Sequence, residues 1–312
     1  MIRRSNTVVP SIVALAATAL LSLPALAAKA PPAPRVVENP VLRVEVTGKG
    51  RPMIFVPGLT CGGDVWRDAV AHYAPTAQCH VVTLGGFGGK ARFEGPFLDS
   101  VRDSLLAYVR VQKLDHPVIV GHSLGGVVAM ELAIAAPDAI GPLVIVDALP
   151  FLGGAGDSTA TEESARKAMA PMRDMIRGQT QEAYAAFQKQ APWLKSMVAP
   201  GPNYDRVVQW ASTSDHASVA DAMFDIGTRD LRPGVAGIRT PMLVIGTWYG
   251  MKDFSTRAAV EATFRRQYAG APHWTLAMAD TARHFVMLDT PDWTWARIDA
   301  FLAGDAAKTA AR

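Results

Sequence analysis

Cysteine is scarce. The 312 residues contain two, Cys61 and Cys79. Two thiols cannot build a disulfide scaffold, and a chain this long does not need one to bury a core. A bond between them is not expected either. Cys61 falls just past the C-terminal end of one expected strand and Cys79 at the start of the next. In parallel neighbours, a five- or six-residue strand would hold the thiols ~17–20 Å apart. An excess of either charge is also missing. Lys plus Arg number 31 and Asp plus Glu 28, for a formal net charge of +3. Two of the cations, Arg3 and Arg4, lie in a segment expected to be removed. This balance excludes an electrostatic case for nucleic acid or a charged membrane surface. After the first 28 residues no apolar run is long enough to span a bilayer. His72, His80, His116, His216 and His273 are scattered without metal-ligand spacing, so neither a metal nor an organic cofactor is expected. The glycines of 85–89 lack the G-x-G-x-x-G order and the following Lys-Ser/Thr of a phosphate cradle.

What is present is apolar and periodic: 49% of the residues are hydrophobic. Residues 1–28 have the form of a secretory signal. Arg3 and Arg4 lead, Val8 to Leu23 is largely apolar, and Ala25-Leu26-Ala27 is a small-x-small cleavage site. The protein is therefore expected to be exported, periplasmic or secreted, with no stable membrane span after cleavage. Residues 29–35 (KAPPAPR) form a Pro-rich extended leader. Val41 to Val46 alternates apolar and polar residues, as an edge strand does. Met53 to Val56, His80 to Leu84, Pro117 to Val120, Pro142 to Val146 and Pro241 to Ile245 are short unbroken apolar runs, as in strands buried on both faces. Helical spacing separates them at 65–73, 98–111 and 127–135. Such alternation means βαβ units and a mainly parallel sheet covered on both faces. It stops at Pro150. Residues 151–233 carry only helical segments, Glu162 to Arg177, Gln181 to Gln190, Tyr204 to Ala211 and Ser218 to Thr228, and are read as a lid inserted in the core formed by 36–150 and 234–303. A helix at 256–268, a strand at 274–279 and a last helix at 292–302 complete the core. Residues 304–312 are read as a loose tail.

The chemistry centres on Gly121-His122-Ser123-Leu124-Gly125-Gly126, set between a strand and a helix. A serine on so sharp a turn needs neighbours without side chains two residues away on each side. The turn lifts the hydroxyl above the sheet at a helix N-terminus, where free N–H groups and the helix dipole favour negative charge. One oxyanion donor is then the Leu124 N–H. A second is expected from Pro57-Gly58-Leu59-Thr60, at Leu59. His122 is read as a packing residue turned away from the serine side.

Five separated pieces resemble the α/β-hydrolase superfamily, in particular its lidded esterase- and lipase-like members. They are Phe55-Val56-Pro57-Gly58 with Trp66 downstream, Leu84-Gly85-Gly86-Phe87-Gly88, Gly121 to Gly126, Pro241 to Gly246, and His284 with Asp289 and Pro291. The resemblance spans about residues 40–303. It implies an α/β-hydrolase fold and a triad in the chain order Ser, acid, His. Ser123 is then the nucleophile, and His284, after the last strand, the base. Two departures stand out. Pro57-Gly58 occupies the usual place of His-Gly, and Tyr249 the usual place of the acid. The acid is then Asp253, the only carboxylate before the next helix, or Asp147, at the end of the strand after the elbow helix. Phe151, Trp248 and Phe285, with Met169 and Met172, suggest an apolar pocket.

These residues imply an exported serine hydrolase that cleaves carboxylic esters through an acyl-enzyme, acting on a small, apolar ester or acyl substrate. Hydrolysis of amides, lactones or C–C bonds, a cofactor-free lyase or oxygenase reaction, and a silent binding protein on the same fold are the alternatives.

Overall fold

The computed structural model describes Met1 and residues 33–310. The segment read as a signal, apart from Met1, and most of the Pro-rich leader lie outside the described residues. Among the described residues no helix is long and apolar enough to cross a membrane.

An eight-stranded sheet organises the chain. Its strands are β1 (Arg35–Glu38), β2 (Leu42–Gly48), β3 (Arg51–Val56), β4 (Ala77–Leu84), β5 (Val118–His122), β6 (Leu143–Val146), β7 (Met242–Thr247) and β8 (Trp274–Ala279). The spatial order is β1-β2-β4-β3-β5-β6-β7-β8. β1 and β2 pair antiparallel, as do β2 and β4, and the pairings from β4 to β8 are parallel. β5 and β6 are apolar but for His122, and each is buried along its whole length, as strands covered by helices on both faces must be.

The crossovers run through α1 (Arg67–Tyr73), α2 (Phe97–Val111) and α3 (Leu124–Ala135). Five helices then intervene between β6 and β7: α4 (Glu162–Arg177), α5 (Gln181–Lys189), α6 (Leu194–Met197), α7 (Pro202–Thr213) and α8 (His216–Thr228). α9 (Arg257–Gln267) precedes β8, and α10 (Val286–Asp289) and α11 (Pro291–Ala310) follow it. Two apolar clusters form the core, one on each face of the sheet. The insertion is fastened to the core by a buried acid. Glu131 of α3 takes Arg229, just past α8, at 3.4 Å and Arg102 of α2 at 3.3 Å. A carboxylate buried among helices is retained only when paired in this way.

Two expectations about the chain ends change. Val41 to Val46 alternates in burial as expected, but it is not the edge. The edge is β1, four residues that begin inside the segment read as leader and are too short for a periodic signal. Within the segment read as a loose tail, α11 continues to Ala310, and residues 311–312 lie outside the described residues. The stretch after Leu302 is rich in alanine, the strongest helix former, and Asp305 on it meets Arg51 of β3 at 3.1 Å. The cysteines are free and buried. Burial pushes the Cys79 thiol up to about 11 and Cys61 higher still, which leaves both inert.

Register positions the site. Val56 lies opposite Gly121, His122 opposite Val146, and Val146 opposite Ile245. The C-terminal ends of β3, β5, β6 and β7 therefore come level. The residues that follow them, from Pro57, Ser123, Asp147 and Trp248 onward, line one edge of the sheet, which is where open α/β sheets bind ligands.

Candidate active site

Ser123 sits between β5 and α3 with φ 53° and ψ −117°, a conformation costly for a residue with a side chain and common where function requires it. The turn is held by its backbone. Ser123 N–H donates to Val146 O at 2.8 Å, and Ser123 O accepts from the N–H groups of Gly126 and Val127 at 2.8 and 3.1 Å. Gly125 is required by close approach: a Cβ there would stand 2.2 Å from Val56 O and 2.8 Å from Pro57 O. The first turn of α3 thus packs directly on the backbone that leads into Leu59. Gly125→Ala must push that loop away from the elbow. It is expected to cost about 2 kcal/mol of stability or more, and most of any esterase activity, in a thermal melt and a rate assay on the same sample.

Leu124 opens α3, so its N–H has no carbonyl four residues back to bond. Leu59 lies in a tight turn closed by Cys61 N–H donating to Gly58 O at 3.1 Å, with Thr60 at φ 67°. Leu59, Leu124, Ser123 and His284 all line one cavity of about 940 Å³.

His284, in the loop after β8, meets Asp147 rather than Asp253. Its Nδ1 donates to Asp147 Oδ2 at 2.7 Å. Asp147 directly follows β6, at φ 49°, and its carboxylate also accepts the Thr247 N–H at 2.8 Å and the Thr247 hydroxyl at 2.7 Å. A carboxylate only accepts, so Nδ1 carries the proton and the Nε2 lone pair is left free to act as a base. Asp253 is corrected by the same geometry. It lies beyond a turn at Tyr249–Met251 on the exposed side of the loop, where it pairs with Lys252 at 2.8 Å. Because β6 and β7 are neighbours with level ends, either strand end can serve the same histidine, and here β6 does.

The His284 loop is held from several sides. His122 is fully buried and does more than pack. Its Nε2 donates to the His284 carbonyl at 3.0 Å, its ring lies 4.6 Å from the His284 ring, and it borders the cavity. Burial first, and then the neighbouring His284, hold its pKa well below the ordinary value, so it stays neutral. Asp289 accepts from Arg283 N–H and from Ala199 N–H, both at 2.8 Å, and Phe285 N–H donates to Met197 O at 2.9 Å. The loop and the helical insertion are thereby stitched together. The sequence carries no signal for Thr247 or for this stitching beyond Asp289, which belongs to the family resemblance but whose partners chain order does not show.

Of the expected pocket residues, Trp248 and Phe285 border the cavity and Phe151 does not. Phe151 is fully buried, with Arg232 over its ring at 4.7 Å and Gln267 bonded to its backbone N–H and carbonyl. Met169 likewise faces Gly227 rather than the cavity. The insertion contributes instead Leu152, Trp193, Met197, Met223 and Ile226. Among the described residues no three His, Cys, Asp or Glu side chains converge as metal ligands would.

Comparison with known proteins agrees with this architecture. The family model for the alpha/beta hydrolase family matches residues 53–297. A pimeloyl-(acyl-carrier protein) methyl ester esterase of Vibrio cholerae is 26% identical over 248 residues, which is 77% of this chain and 89% of that protein. The enzyme of the same description from Aliivibrio salmonicida is 22% identical over 264 residues, 83% of this chain and 94% of its own. Among solved structures, a hydrolase from Pseudomonas aeruginosa superposes with a TM-score of 0.70 at 17% identity, covering 84% of this chain and 94% of that one. With its sheet, its strand-to-helix serine turn and a family match across most of its length, the chain belongs to the alpha/beta hydrolase family.

Proposed function

We propose that the protein is an exported serine hydrolase of carboxylic esters. One observation carries the reading: Ser123, on a strained turn, shares an apolar cavity with His284, whose Nδ1 is held by Asp147 at 2.7 Å. His284 Nε2 takes the Ser123 proton as the hydroxyl oxygen attacks the ester carbonyl. The Leu59 and Leu124 N–H groups receive the negative charge that develops on the carbonyl oxygen. His284 returns the proton to the leaving alkoxide. Water then repeats the sequence on the acyl-enzyme and frees the acid. Asp147 fixes the tautomer, and its carboxylate offsets the imidazolium charge.

The names of the Vibrio cholerae and Aliivibrio salmonicida relatives support ester cleavage, and the apolar cavity supports an apolar substrate. The helical insertion acts as the lid over this cavity. Residues 1–28 act as the export signal. The test is a series of acyl esters of increasing chain length beside matching anilides and lactones. Esters are expected to react with kcat/KM rising until the cavity is filled, and anilides about 100-fold more slowly or worse, because an amine leaves less readily than an aryloxide. Turnover of anilides or lactones above every ester would overturn the reading.

A further inference from the structure

The cavity does not end at the nucleophile. It continues between α9 and the turn at residues 152–156, with Ala259, Ala262, Thr263 and Arg266 on the helix and Ala155 and Gly156 on the turn. Those four helix positions follow the i, i+3, i+4, i+7 spacing of a single face. From Ala259 to Arg266 the helix rises ~10 Å. Ala259, Ala262 and Arg266 are exposed, so this arm of the cavity is an open groove.

Arg266 is unusual in this setting. Among the described residues that line the cavity, it and Asp147 are the only members of the Lys, Arg, Asp and Glu set. Asp147 is engaged by His284 and Thr247. Arg266 Nη2 donates to two neutral acceptors, Ala155 O at 3.2 Å and Thr263 Oγ1 at 3.4 Å. The neighbouring acids along the chain are occupied elsewhere. Glu261, on the same helix, takes Arg257 at 2.8 Å and Arg265 at 2.6 Å. Asp157, next to Gly156, turns back to accept the Thr159 N–H and hydroxyl at 2.8 and 2.6 Å. The guanidinium is thus braced at the groove wall with Nε and Nη1 left for another acceptor.

The geometry points to Arg266 as the anchor for a carboxylate at the far end of the substrate's apolar acyl chain, which makes the substrates half-esters of α,ω-dicarboxylic acids. This rests on the ester-hydrolase reading above and names its substrate class. A single guanidinium suits one carboxylate, to which its planar fork can bond twice. The apolar groove walls suit methylenes between the two ends. Because the serine fixes one end and Arg266 the other, the rate selects a particular chain length.

The experiment compares monomethyl esters of straight-chain dicarboxylic acids of increasing length with the dimethyl esters of the same acids. Wild type, Arg266→Gln and Arg266→Lys are assayed. For wild type, kcat/KM on the half-esters is expected to peak at one length. Arg266→Gln is expected to lower that peak about tenfold and to change the diesters less than about twofold, and Arg266→Lys to restore part of the loss. High salt is expected to lower the half-ester peak selectively, because the anchor lies at an exposed rim. Equal losses on half-esters and diesters in Arg266→Gln would reduce Arg266 to a brace for the 152–156 turn and overturn the assignment. So would half-ester rates indifferent to the substitution. If wild type hydrolyses neither series while remaining folded, the ester reading itself falls, and this one with it.

Discussion

Ser123→Ala is expected to lower kcat/KM on a chromogenic ester by about 10⁴- to 10⁶-fold while leaving the melting temperature nearly unchanged. The two halves of this expectation have separate causes. The Ser123 hydroxyl forms no capping bond with α3, so its removal costs no structural hydrogen bond. The bonds that hold the turn come from the Ser123 backbone, to Val146, Gly126 and Val127, and alanine keeps them. The positive φ is no worse for alanine than for serine. What disappears is the atom that the proposed mechanism uses to form the acyl-enzyme. The proposed oxyanion donors, the Leu59 and Leu124 N–H groups, and the cavity remain, so a small residual rate over water is expected. A loss below about tenfold with full folding would show that the ester is cleaved without an acyl-serine.

The second large effect separates the two carboxylates. Asp147→Asn is expected to lower kcat by about 10³- to 10⁴-fold, and Asp253→Asn to leave it within about twofold. Asparagine is well suited to the left-handed φ of 49° at this position. Its amide oxygen can still accept from Thr247, so the variant is expected to fold. Its NH₂ group, however, would face His284 Nδ1, which must then present a lone pair. The ring proton moves to Nε2, and the base is lost. Asp253 is mostly exposed, and its partner is the exposed Lys252 at 2.8 Å, a kind of pair worth little. Single-turnover rates on the two variants read this directly. A crippled Asp253→Asn beside an active Asp147→Asn would reverse the assignment.

Why the serine turn was legible in the sequence and its acid was not has a physical explanation. The G-x-S-x-G run is a local steric requirement, visible in five letters, and Gly125 meets it by lying against the β3 backbone. His284 was marked by its place after the last strand. The acid depends on which of two neighbouring strand ends reaches the histidine loop. Chain order does not reveal that, because Val146 and Ile245 stand opposite each other across a parallel pair. Its place in the loop after β7 favoured Asp253, the only acid between β7 and α9. The structure instead turns that loop outward at Tyr249–Met251 and uses Asp147. Phe151 shows the same difficulty on the apolar side. An aromatic just past a strand can face the cavity or the core, and here Arg232 and Gln267 hold it in the core. The helices of the insertion were legible from their periodicity, and α4 spans the expected residues from Glu162 to Arg177. Their stitching to the His284 loop runs through backbone groups of Met197 and Ala199, which carry no side-chain signal.

The most direct measurement is covalent. The protein is treated with a fluorophosphonate that captures activated serines, digested, and the adduct located by mass spectrometry. One equivalent of label is expected, on the peptide that contains Ser123. It should be absent from Ser123→Ala and formed far more slowly in Asp147→Asn. A folded wild-type chain that takes no label, or label that persists elsewhere in Ser123→Ala, would contradict a nucleophile at the turn between β5 and α3.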